Sequence, residues 1–367
     1  MTITEVRHDN QWLTVTHSDG SEFRYLGTWL RDNIPSGRHI GGGQRTFDIN
    51  ELPAISITGA SHTADSVCVS FGPENLDAVF DEGWLRGFGT HSAGSAAASP
   101  QPVLWDSGLQ ESLEYADFPT LLADQIALSS WLTQVRDFGF GLLENVPTVP
   151  EAIFDVVDLF GYVRETNYGR LFDVRVEPDP ANLAFTSLRI GMHTDNPYRD
   201  PVPGLQLLHC LVNESDGGDS LLCDGFHAAR LIRDQHPDAF ELLAGQPVRF
   251  RYLDDHTDLQ TVQPLIQTDV LGAVTGIRYN SRSAQAFDMP ESIIADYYDA
   301  YRLLAETLNQ PENLVQFRLD AGQLMVFDNQ RVLHGRTAYH QGRRHLQGCY
   351  ADKDSLRSRI AKLEAAQ

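Results

Sequence analysis

The chain has 367 residues, which is long enough for two or three domains. Its hydrophobic fraction of 42% is ordinary for a globular protein with a full core. The 28 Lys and Arg residues against 50 Asp and Glu residues give a net charge of −22, which argues against nucleic acid or an anionic membrane surface as a partner.

Targeting and redox signals are also missing from the sequence. No apolar run is long enough to predict a transmembrane helix, and the first residues lack the charged and apolar regions of a signal peptide, so we expect a cytoplasmic protein. The four cysteines are too far apart to form a zinc or redox motif and are expected to be buried thiols (Cys68, Cys210, Cys223 and Cys349).

Residues 1–95 have the pattern of a small β-rich domain. The alternation over residues 12–16 breaks at Asp19-Gly20 and resumes over residues 22–25, which predicts a hairpin. The sequence Trp-Leu-Arg occurs at residues 29–31 and again at residues 84–86, each time after a strand-like stretch. This repeat predicts two similar units packed on each other.

A small, polar stretch over residues 89–102 ends in prolines and predicts a linker, which we place at residues 96–104. The second domain then covers residues 105–367. Helical patterns are expected over residues 121–138, 151–160, 226–235 and 292–308. Short strands are expected over residues 139–143, 205–211, 220–223, 248–252, 274–279, 315–319, 323–327 and 346–350.

Many short strands with inserted helices favour a mostly β fold over a parallel doubly wound sheet. We therefore predict a double-stranded β-helix, or jelly roll, for this second domain. The first domain is predicted to be a smaller β-rich appendage.

Four His-x-Asp pairs occur in the chain, so this spacing alone does not identify a metal site. The pairs that begin at His17, His236 and His256 lie at a hairpin turn, between helical patterns and in a polar loop. In contrast, His193 follows a strand-like stretch, and strand alternation sends residues i and i+2 to the same side. His193 and Asp195 are therefore candidates for two ligands of a non-haem Fe(II) site, which needs two histidines and one carboxylate.

A third ligand has to come from a distant strand. His334 ends an apolar stretch, and Arg344 precedes another strand ten residues later. A single histidine at a strand end is commonly structural, and a single arginine is commonly on the surface. Together with the upstream pair, His334 and Arg344 favour an oxygenase site.

These segments resemble the gamma-butyrobetaine dioxygenase and taurine dioxygenase family of Fe(II)- and 2-oxoglutarate-dependent oxygenases. The resemblance is carried by His-Thr-Asp at residues 193–195, Asn-Gln-Arg-Val-Leu-His-Gly-Arg at residues 329–336 and the segment 343–350. Trp-Leu-Arg-Asp-Asn at residues 29–33 is similar to the gamma-butyrobetaine branch, so the resemblance covers nearly the whole chain.

The resemblance implies a role for individual residues. His193, Asp195 and His334 would hold iron, and Arg344 would pair with the distal carboxylate of 2-oxoglutarate, as a guanidinium fork does. Asn182 matches a family asparagine near the cosubstrate. O2 would be the oxidant, the substrate a small molecule and the protein a homodimer.

The branch holds a trimethylammonium group in an aromatic cage, because a quaternary ammonium cannot donate hydrogen bonds and binds to π-faces instead. At the matching positions this chain has four aromatic residues, Tyr168, Phe172, Phe185 and Tyr350. Each of them taken singly would more commonly be a core residue.

The sequence departs from the family in its first domain. Relatives carry a structural zinc held by three cysteines and a histidine after the Trp-Leu-Arg-Asp-Asn motif. Residues 34–39 contain no cysteine here, so we predict no structural zinc.

A second departure concerns the anionic end of the substrate. Asn196 follows the iron aspartate, where relatives have an apolar or aromatic residue, and Asn280 and Arg282 lie where relatives use an asparagine. A guanidinium suits a phosphonate better than an amide does. The alternative is that Arg282 points to solvent and the substrate is a carboxylate.

The leading hypothesis is hydroxylation of 2-(trimethylammonio)ethylphosphonate at C1, and the alternative is gamma-butyrobetaine hydroxylation to L-carnitine. A trimethyllysine hydroxylase is a more distant alternative. A redox-inert metal hydrolase or isomerase, and a ligand-binding module without catalysis, are hypotheses of other classes. Neither of these gives the arginine and the aromatic cage an evident role.

Overall fold

The computed structural model describes residues 1–88, 101–176 and 186–366. The chain divides into two compact units, Met1–Ser99 and Pro100–Gln367. Most of the predicted linker falls on residues 89–100, outside the described residues, so the predicted domain bounds stay a prediction. Across the described ranges, no helix combines the length and the apolar character needed to cross a membrane. The predicted cytoplasmic location and homodimer also stay predictions.

The first unit repeats one motif of three antiparallel strands followed by a short helix. The first copy comprises β1 Ile3–His8, β2 Trp12–His17, β3 Glu22–Leu26 and α1 Gly27–Asp32. The second comprises β4 Ser56–His62, β5 Ser66–Gly72, β6 Leu76–Asp81 and α2 Glu82–Phe88.

The two copies share one core, as the repeat predicts. Alternate residues of β2 and β5, among them Leu13 and Val67, are fully buried in the same cluster. The Trp-Leu-Arg segments form α1 and α2 rather than turns, and the rings of Trp29 and Trp84 stack with their centroids 5.3 Å apart. The hairpin predicted across Asp19-Gly20 is confirmed as β2 and β3.

The second unit contains two facing sheets and two small hairpins. The strands of the larger sheet are β7 Tyr115–Asp117, β8 Phe140–Glu144, β9 Val163–Arg164, β10 Phe172–Arg175, β12 Leu205–Asn213, β19 Leu324–Asp328 and β21 Arg344–Ala351. Their order is β10-β21-β12-β19-β8-β7, with β9 also paired to β21. The smaller sheet has the order β11-β20-β13-β18, from β11 Ile190–His193, β13 Ser220–Asp224, β18 Leu314–Phe317 and β20 Val332–Arg336. The hairpins are β14 Val248–Leu253 with β15 Asp258–Gln263, and β16 Ile266–Thr268 with β17 Val274–Ile277.

Helices cover the outer faces of both sheets. The helices are α3 Phe118–Ala123, α4 Gln125–Phe138, α5 Ile153–Asp158, α6 Gly225–Gln235, α7 Pro237–Gly245, α8 Glu291–Asn309 and α9 Lys353–Glu364. Helices α3, α4, α5 and α9 pack on the larger sheet, and α6, α7 and α8 pack on the smaller one. The helix predicted over residues 121–138 is split at Asp124, because this side chain accepts hydrogen bonds from the first amides of α4 and so begins a new helix.

A third apolar cluster fills the space between the two sheets. Along β12, Leu205 and Leu207 face the helices, whereas Leu208 and Cys210 face the inner cluster. Phe327 from the larger sheet and Leu222 from the smaller one meet in this inner layer. The predicted jelly-roll core is therefore confirmed, and its inner layer opens at one end into the cavity described next.

Candidate active site

A cavity of about 520 Å³ opens between the two sheets and beneath the β14–β15 hairpin. Ten of the twelve residues predicted for the site line it: His193, Asp195, His334, Arg344, Tyr168, Phe172, Tyr350, Asn196, Asn280 and Arg282. The other two, Asn182 and Phe185, lie outside the described residues.

Two histidines and one carboxylate converge at the base of the cavity. His193 ends β11 and is paired in register with His334 on β20, so that the two rings lie 4.2 Å apart between centroids. Asp195 follows two residues after the strand end, and its Oδ1 lies 3.4 Å from His193 Nε2. One ligand atom from each of the three residues lies within 4.8 Å of the others, which is compact enough for a single metal ion.

Backbone and side-chain hydrogen bonds hold Asp195 in place beyond the strand. The amide of Asn329 accepts from Asp195 N at 2.7 Å and donates to Asp195 O at 2.9 Å. Gln206 Nε2 and Tyr350 Oη each donate to Asp195 Oδ2 at 2.9 Å. The outer oxygen is thus fixed by two donors, and Oδ1 faces the histidines.

The protonation states of these side chains suit a divalent cation. Burial lowers the pKa of His334 to about 3, so this ring is neutral. Burial opposes ionisation of Asp195, but its contact with His193 and the hydrogen bond from Tyr350 outweigh this effect and hold the pKa of this carboxyl below its usual range. His193 Nδ1 lies 2.9 Å from Gly191 O, and donation there leaves Nε2 free to bind a metal. His334 Nδ1 is buried with no hydrogen-bond partner among the described residues. The donor set therefore fits a 2-His-1-carboxylate iron site.

A second feature of the cavity is a pair of buried arginines. Arg344 begins β21, and burial lowers the pKa of its guanidinium. Within the described residues, this guanidinium makes no hydrogen bond to a carboxylate, although the negative charge of Asp219 favours its protonated form. A buried guanidinium without an anionic partner can bind a ligand carboxylate.

The other arginine is Arg336 on β20, for which the sequence pattern did not predict a separate role. Burial and, next, the charge of Arg344 lower the pKa of Arg336 to about 10. Its guanidinium donates to Thr186 O at 2.6 Å and to Leu188 O at 2.8 Å. Arg336 therefore holds the segment that leads into β11. Its position two residues after the predicted ligand His334 was the sequence feature that could have indicated this role.

Aromatic rings form one wall of the cavity. The rings of Phe172 and Tyr350 lie 5.3 Å apart, and those of Tyr168 and Phe172 lie 6.4 Å apart. Two further tyrosines that the sequence analysis missed extend this wall. Tyr252 from β14 lies 5.8 Å from Tyr168 and 5.2 Å from Tyr198.

The residues predicted to bind the anionic end of the substrate, here called the polar end, are Asn196, Asn280 and Arg282. Their surroundings in the cavity differ. The amide of Asn280 donates to Thr194 O at 3.1 Å and accepts from Arg282 N at 3.2 Å, so it chiefly joins two loops. Asn196 accepts from Tyr198 Oη at 2.8 Å, and its Nδ2 is buried without a partner among the described residues. Arg282 is among the residues that line the cavity although it is exposed overall, and burial lowers the pKa of its guanidinium.

Residues 106–350 match the family model described as taurine catabolism dioxygenase TauD, TfdA family. The chain belongs to this family. It is 38% identical to a gamma-butyrobetaine dioxygenase from Pseudomonas sp. (strain AK-1), over 96% of this chain and 94% of that one. It is 30% identical to the human gamma-butyrobetaine dioxygenase, over 93% and 92% of the two chains. It is also 29% identical to a mitochondrial trimethyllysine dioxygenase from Mus musculus, over 93% and 84%.

Among solved structures, an asparagine oxygenase in complex with Fe(II), 2S,3S-3-hydroxyasparagine and succinate aligns with 64% of this chain and 81% of that one, at a TM-score of 0.49 and 18% identity. The assignment to the family depends on the family model and the sequence relatives. This dioxygenase uses Fe(II), 2-oxoglutarate and O2. The hydrolase, isomerase and non-catalytic hypotheses do not agree with this membership.

Proposed function

We propose that this dioxygenase hydroxylates a small trimethylammonium zwitterion. One observation carries the proposal: the cluster of His193, Asp195 and His334 lines the same cavity as the aromatic wall and the polar end. In this proposal the three residues bind the iron. Arg344 binds the distal carboxylate of 2-oxoglutarate, and Asn182, outside the described residues, stays a predicted cosubstrate contact.

The aromatic wall supports recognition of the quaternary ammonium group. Such a cation has no N–H to donate, so π-faces attract it where hydrogen-bond acceptors cannot. Tyr168, Phe172 and Tyr350 line the cavity together, and Phe185 stays a predicted fourth member. A volume of about 520 Å³ lies within the range of small-molecule sites.

The polar end supports an anionic head group. Arg282 and Asn196 both line the cavity, and an arginine supplies the positive charge that an anionic head group needs. A phosphonate has three acceptor oxygens and up to two negative charges, which favours 2-(trimethylammonio)ethylphosphonate as the substrate. Asn280 also lines the cavity and stays a predicted contact of the anionic head, and its amide donates one hydrogen bond to the Thr194 carbonyl.

The second candidate substrate is gamma-butyrobetaine, with L-carnitine as the product. The Pseudomonas relative, at 38% identity over nearly the whole chain, favours it. Trimethyllysine is a more distant candidate, and several relatives bear the trimethyllysine name.

The residues of this chain would position the substrate rather than oxidise it. When bound, the iron supplies the oxidising power for attack on an unactivated C–H bond. The aromatic wall and the Arg282 end would fix the two termini of the zwitterion, so that the carbon between them faces the iron ligands. For the phosphonate this carbon is C1, and for gamma-butyrobetaine it is C3.

The experiment loads the purified protein anaerobically with Fe(II) and 2-oxoglutarate and then adds O2 with each substrate in parallel. Mass spectrometry measures succinate and the hydroxylated product. Product from the phosphonate, with an Arg282→Met variant losing that activity more than any activity on gamma-butyrobetaine, is the expected result. Product from gamma-butyrobetaine alone would establish the second candidate. Substrate-independent succinate formation with no product from either compound would contradict both.

A further inference from the structure

A glycine lies beneath the aromatic wall of the cavity. On β21, Leu346 and Tyr350 both line the cavity, and strand alternation places Gly348 on the same face between them. In the pairing of β10 with β21, Gly348 is directly opposite Phe172, so these two residues also share a face. Glycine weakens the interior of a strand, and it commonly marks a place where another group approaches closely.

The group that approaches Gly348 is the ring of Phe172. A Cβ atom on Gly348 would overlap with Cε2 and Cζ of this ring and would lie 2.9 Å from Leu208 Cδ2. Carbon atoms in contact prefer separations of about 3.5–4.0 Å, so a methyl group here would require the ring to move by roughly 1 Å. The ring therefore occupies space that the side chain of any other residue at position 348 would fill.

The strand that carries Phe172 is held in place from its other face. β10 pairs with β21 along its whole length of four residues. By strand alternation the side chain of Asp173 lies on the face opposite to Phe172, where its Oδ1 lies 2.7 Å from His345 Nε2 and accepts from Gln347 Nε2 at 3.2 Å. A side chain at position 348 would therefore displace the ring rather than the strand, and the open space beside the ring is the cavity.

We propose that Gly348 determines the size of the cation that the aromatic wall admits. Because position 348 has no side chain, the Phe172 ring lies back on the sheet, with its centroid 5.3 Å from that of Tyr350, and leaves room for three methyl groups on the nitrogen. A side chain at this position would push the ring into the cavity and would favour an ammonium group with fewer methyl groups. This inference rests on the proposed function, since it assigns the size selectivity of the same site.

The test measures how many methyl groups the site accepts. Calorimetry under anaerobic conditions, with Fe(II) and 2-oxoglutarate bound, gives dissociation constants for 2-(trimethylammonio)ethylphosphonate, for gamma-butyrobetaine and for the dimethylamino analogue of each. We expect Gly348→Ala to weaken binding of the trimethylammonium form about tenfold and binding of the dimethylamino form less than threefold, because one methyl group in a close-fitting pocket changes affinity by about tenfold or more. Equal weakening of both forms, or an unchanged preference, would overturn the inference.

A second substitution should shift the preference in the opposite direction. Phe172→Leu keeps Gly348 and removes the ring atoms that a Cβ would meet, so it should improve binding of an analogue with one N-ethyl group, relative to the trimethylammonium form, by about threefold or more. An unchanged preference in this variant would show that the Phe172 ring does not limit the size of the cation.

The two substitutions together form a double-mutant cycle. In the Phe172→Leu background, Gly348→Ala should change the preference for the trimethylammonium form over the dimethylamino form less than threefold, because the overlap with the ring no longer exists. A full tenfold change in that background would contradict the inference, since Gly348 would then act independently of the ring.

Gly59→Ala is the matched control. It adds a methyl group to a glycine of β4, where the nearest atom, Ser70 Oγ, lies at an ordinary contact distance of 3.4 Å, so it should bind every ligand as the wild-type protein does. If the wild-type protein binds neither trimethylammonium compound, the proposed function is wrong and the inference fails with it. If it binds one of them and Gly348→Ala keeps the wild-type preference, only the inference is wrong.

Discussion

Two side chains from neighbouring strands hold the outer oxygen of the Asp195 carboxylate. Gln206 on β12 and Tyr350 on β21 are direct partners in the strand register, and both donate to Asp195 Oδ2 at 2.9 Å. Groups that orient a metal ligand in this way commonly contribute ten- to a hundredfold to metal affinity. A substitution of Gln206 tests this orienting role more clearly than one of Tyr350, because Tyr350 also belongs to the aromatic wall.

Gln206→Leu keeps the volume of this buried side chain but removes its donor. We expect the affinity for Fe(II) to fall about tenfold, because Asp195 would lose one of the two bonds that aim Oδ1 at the histidines. Anaerobic titration with Fe(II) measures the dissociation constant. Gln260→Leu is the control, since its amide pairs with exposed Arg249 on the β14–β15 hairpin. Wild-type affinity in Gln206→Leu would show that Tyr350 alone orients the carboxylate.

Individual residues show how far the sequence could predict this site. The convergence of His193, Asp195 and His334 was predictable because a strand, a His-x-Asp pair and a distant histidine are the sequence features of such a ligand set. Asn280 was predicted as a substrate contact, yet its amide is bonded to the Thr194 carbonyl, which no local pattern indicates. Tyr198 and Tyr252 were missed because their approach to Tyr168 depends on how segments that are distant from it in sequence fold against it.

At the level of elements, one buried ion pair connects segments that are distant in sequence. Arg331, which precedes β20, donates to both carboxylate oxygens of Asp224 at 3.1 and 2.8 Å, and both side chains are almost completely buried. Arg331 also donates to Asp137 O at the end of α4. Asp224 in turn accepts from Phe226 N and begins α6. The pair thus joins the inner layer to helices on both outer faces.

Arg331→Met should destabilise the fold by about 3–5 kcal/mol, because the Asp224 charge would remain buried without its partner. Denaturant unfolding followed by circular dichroism measures the free energy of unfolding. The double variant Arg331→Met with Asp224→Leu should recover part of the loss. Arg343→Met is the control, since its pair with Glu214 is exposed and is expected to contribute little to stability. Equal losses in both single variants would contradict the role of the buried pair.

The β14–β15 hairpin contributes an aromatic ring to the cavity. Tyr252→Ala should raise the KM for the trimethylammonium substrate about two- to thirtyfold, because one π-face contributes roughly 0.5–2 kcal/mol to binding a desolvated cation. Tyr252→Phe keeps the ring and should retain most of the affinity. Tyr298→Ala, at an exposed position on α8, controls for loss of an aromatic side chain. Steady-state kinetics with succinate detection measures KM, and an unchanged KM in Tyr252→Ala would exclude this ring from the cage.

At the level of the whole molecule, the fold class was predictable but the pairing of the strands was not. Short alternating segments predicted β structure, and the observed β12, β13 and β21 lie within a few residues of the expected positions. The larger sheet, however, places β8 beside β19, whose residues are separated by about half of the chain. Such pairing depends on how apolar faces are shared between helices and the inner layer, and the local sequence carries little of that information.

The fold also contains a histidine that has to stay neutral. His209 on β12 is fully buried, and neither ring nitrogen has a hydrogen-bond partner among the described residues by distance and angle. Burial lowers the pKa of His209 to about 4, and the backbone of Val146 offsets only part of this effect. In the unfolded chain the pKa of His209 returns to about 6.5. At pH values between about 4 and 6.5, His209 is therefore protonated in the unfolded state but not in the folded state.

The stability contributed by neutral His209 is therefore complete above pH 6.5 and is lost as the pH falls toward 4. At pH 5 the loss relative to pH 7.5 is about 2 kcal/mol, because each pH unit in this window costs roughly 1.4 kcal/mol. His209→Leu should remove this part of the acid sensitivity, whereas His256→Leu, at an exposed position, should not. Denaturant unfolding at both pH values measures the difference. The same acid sensitivity in His209→Leu and wild type would mean that carboxylates alone cause it.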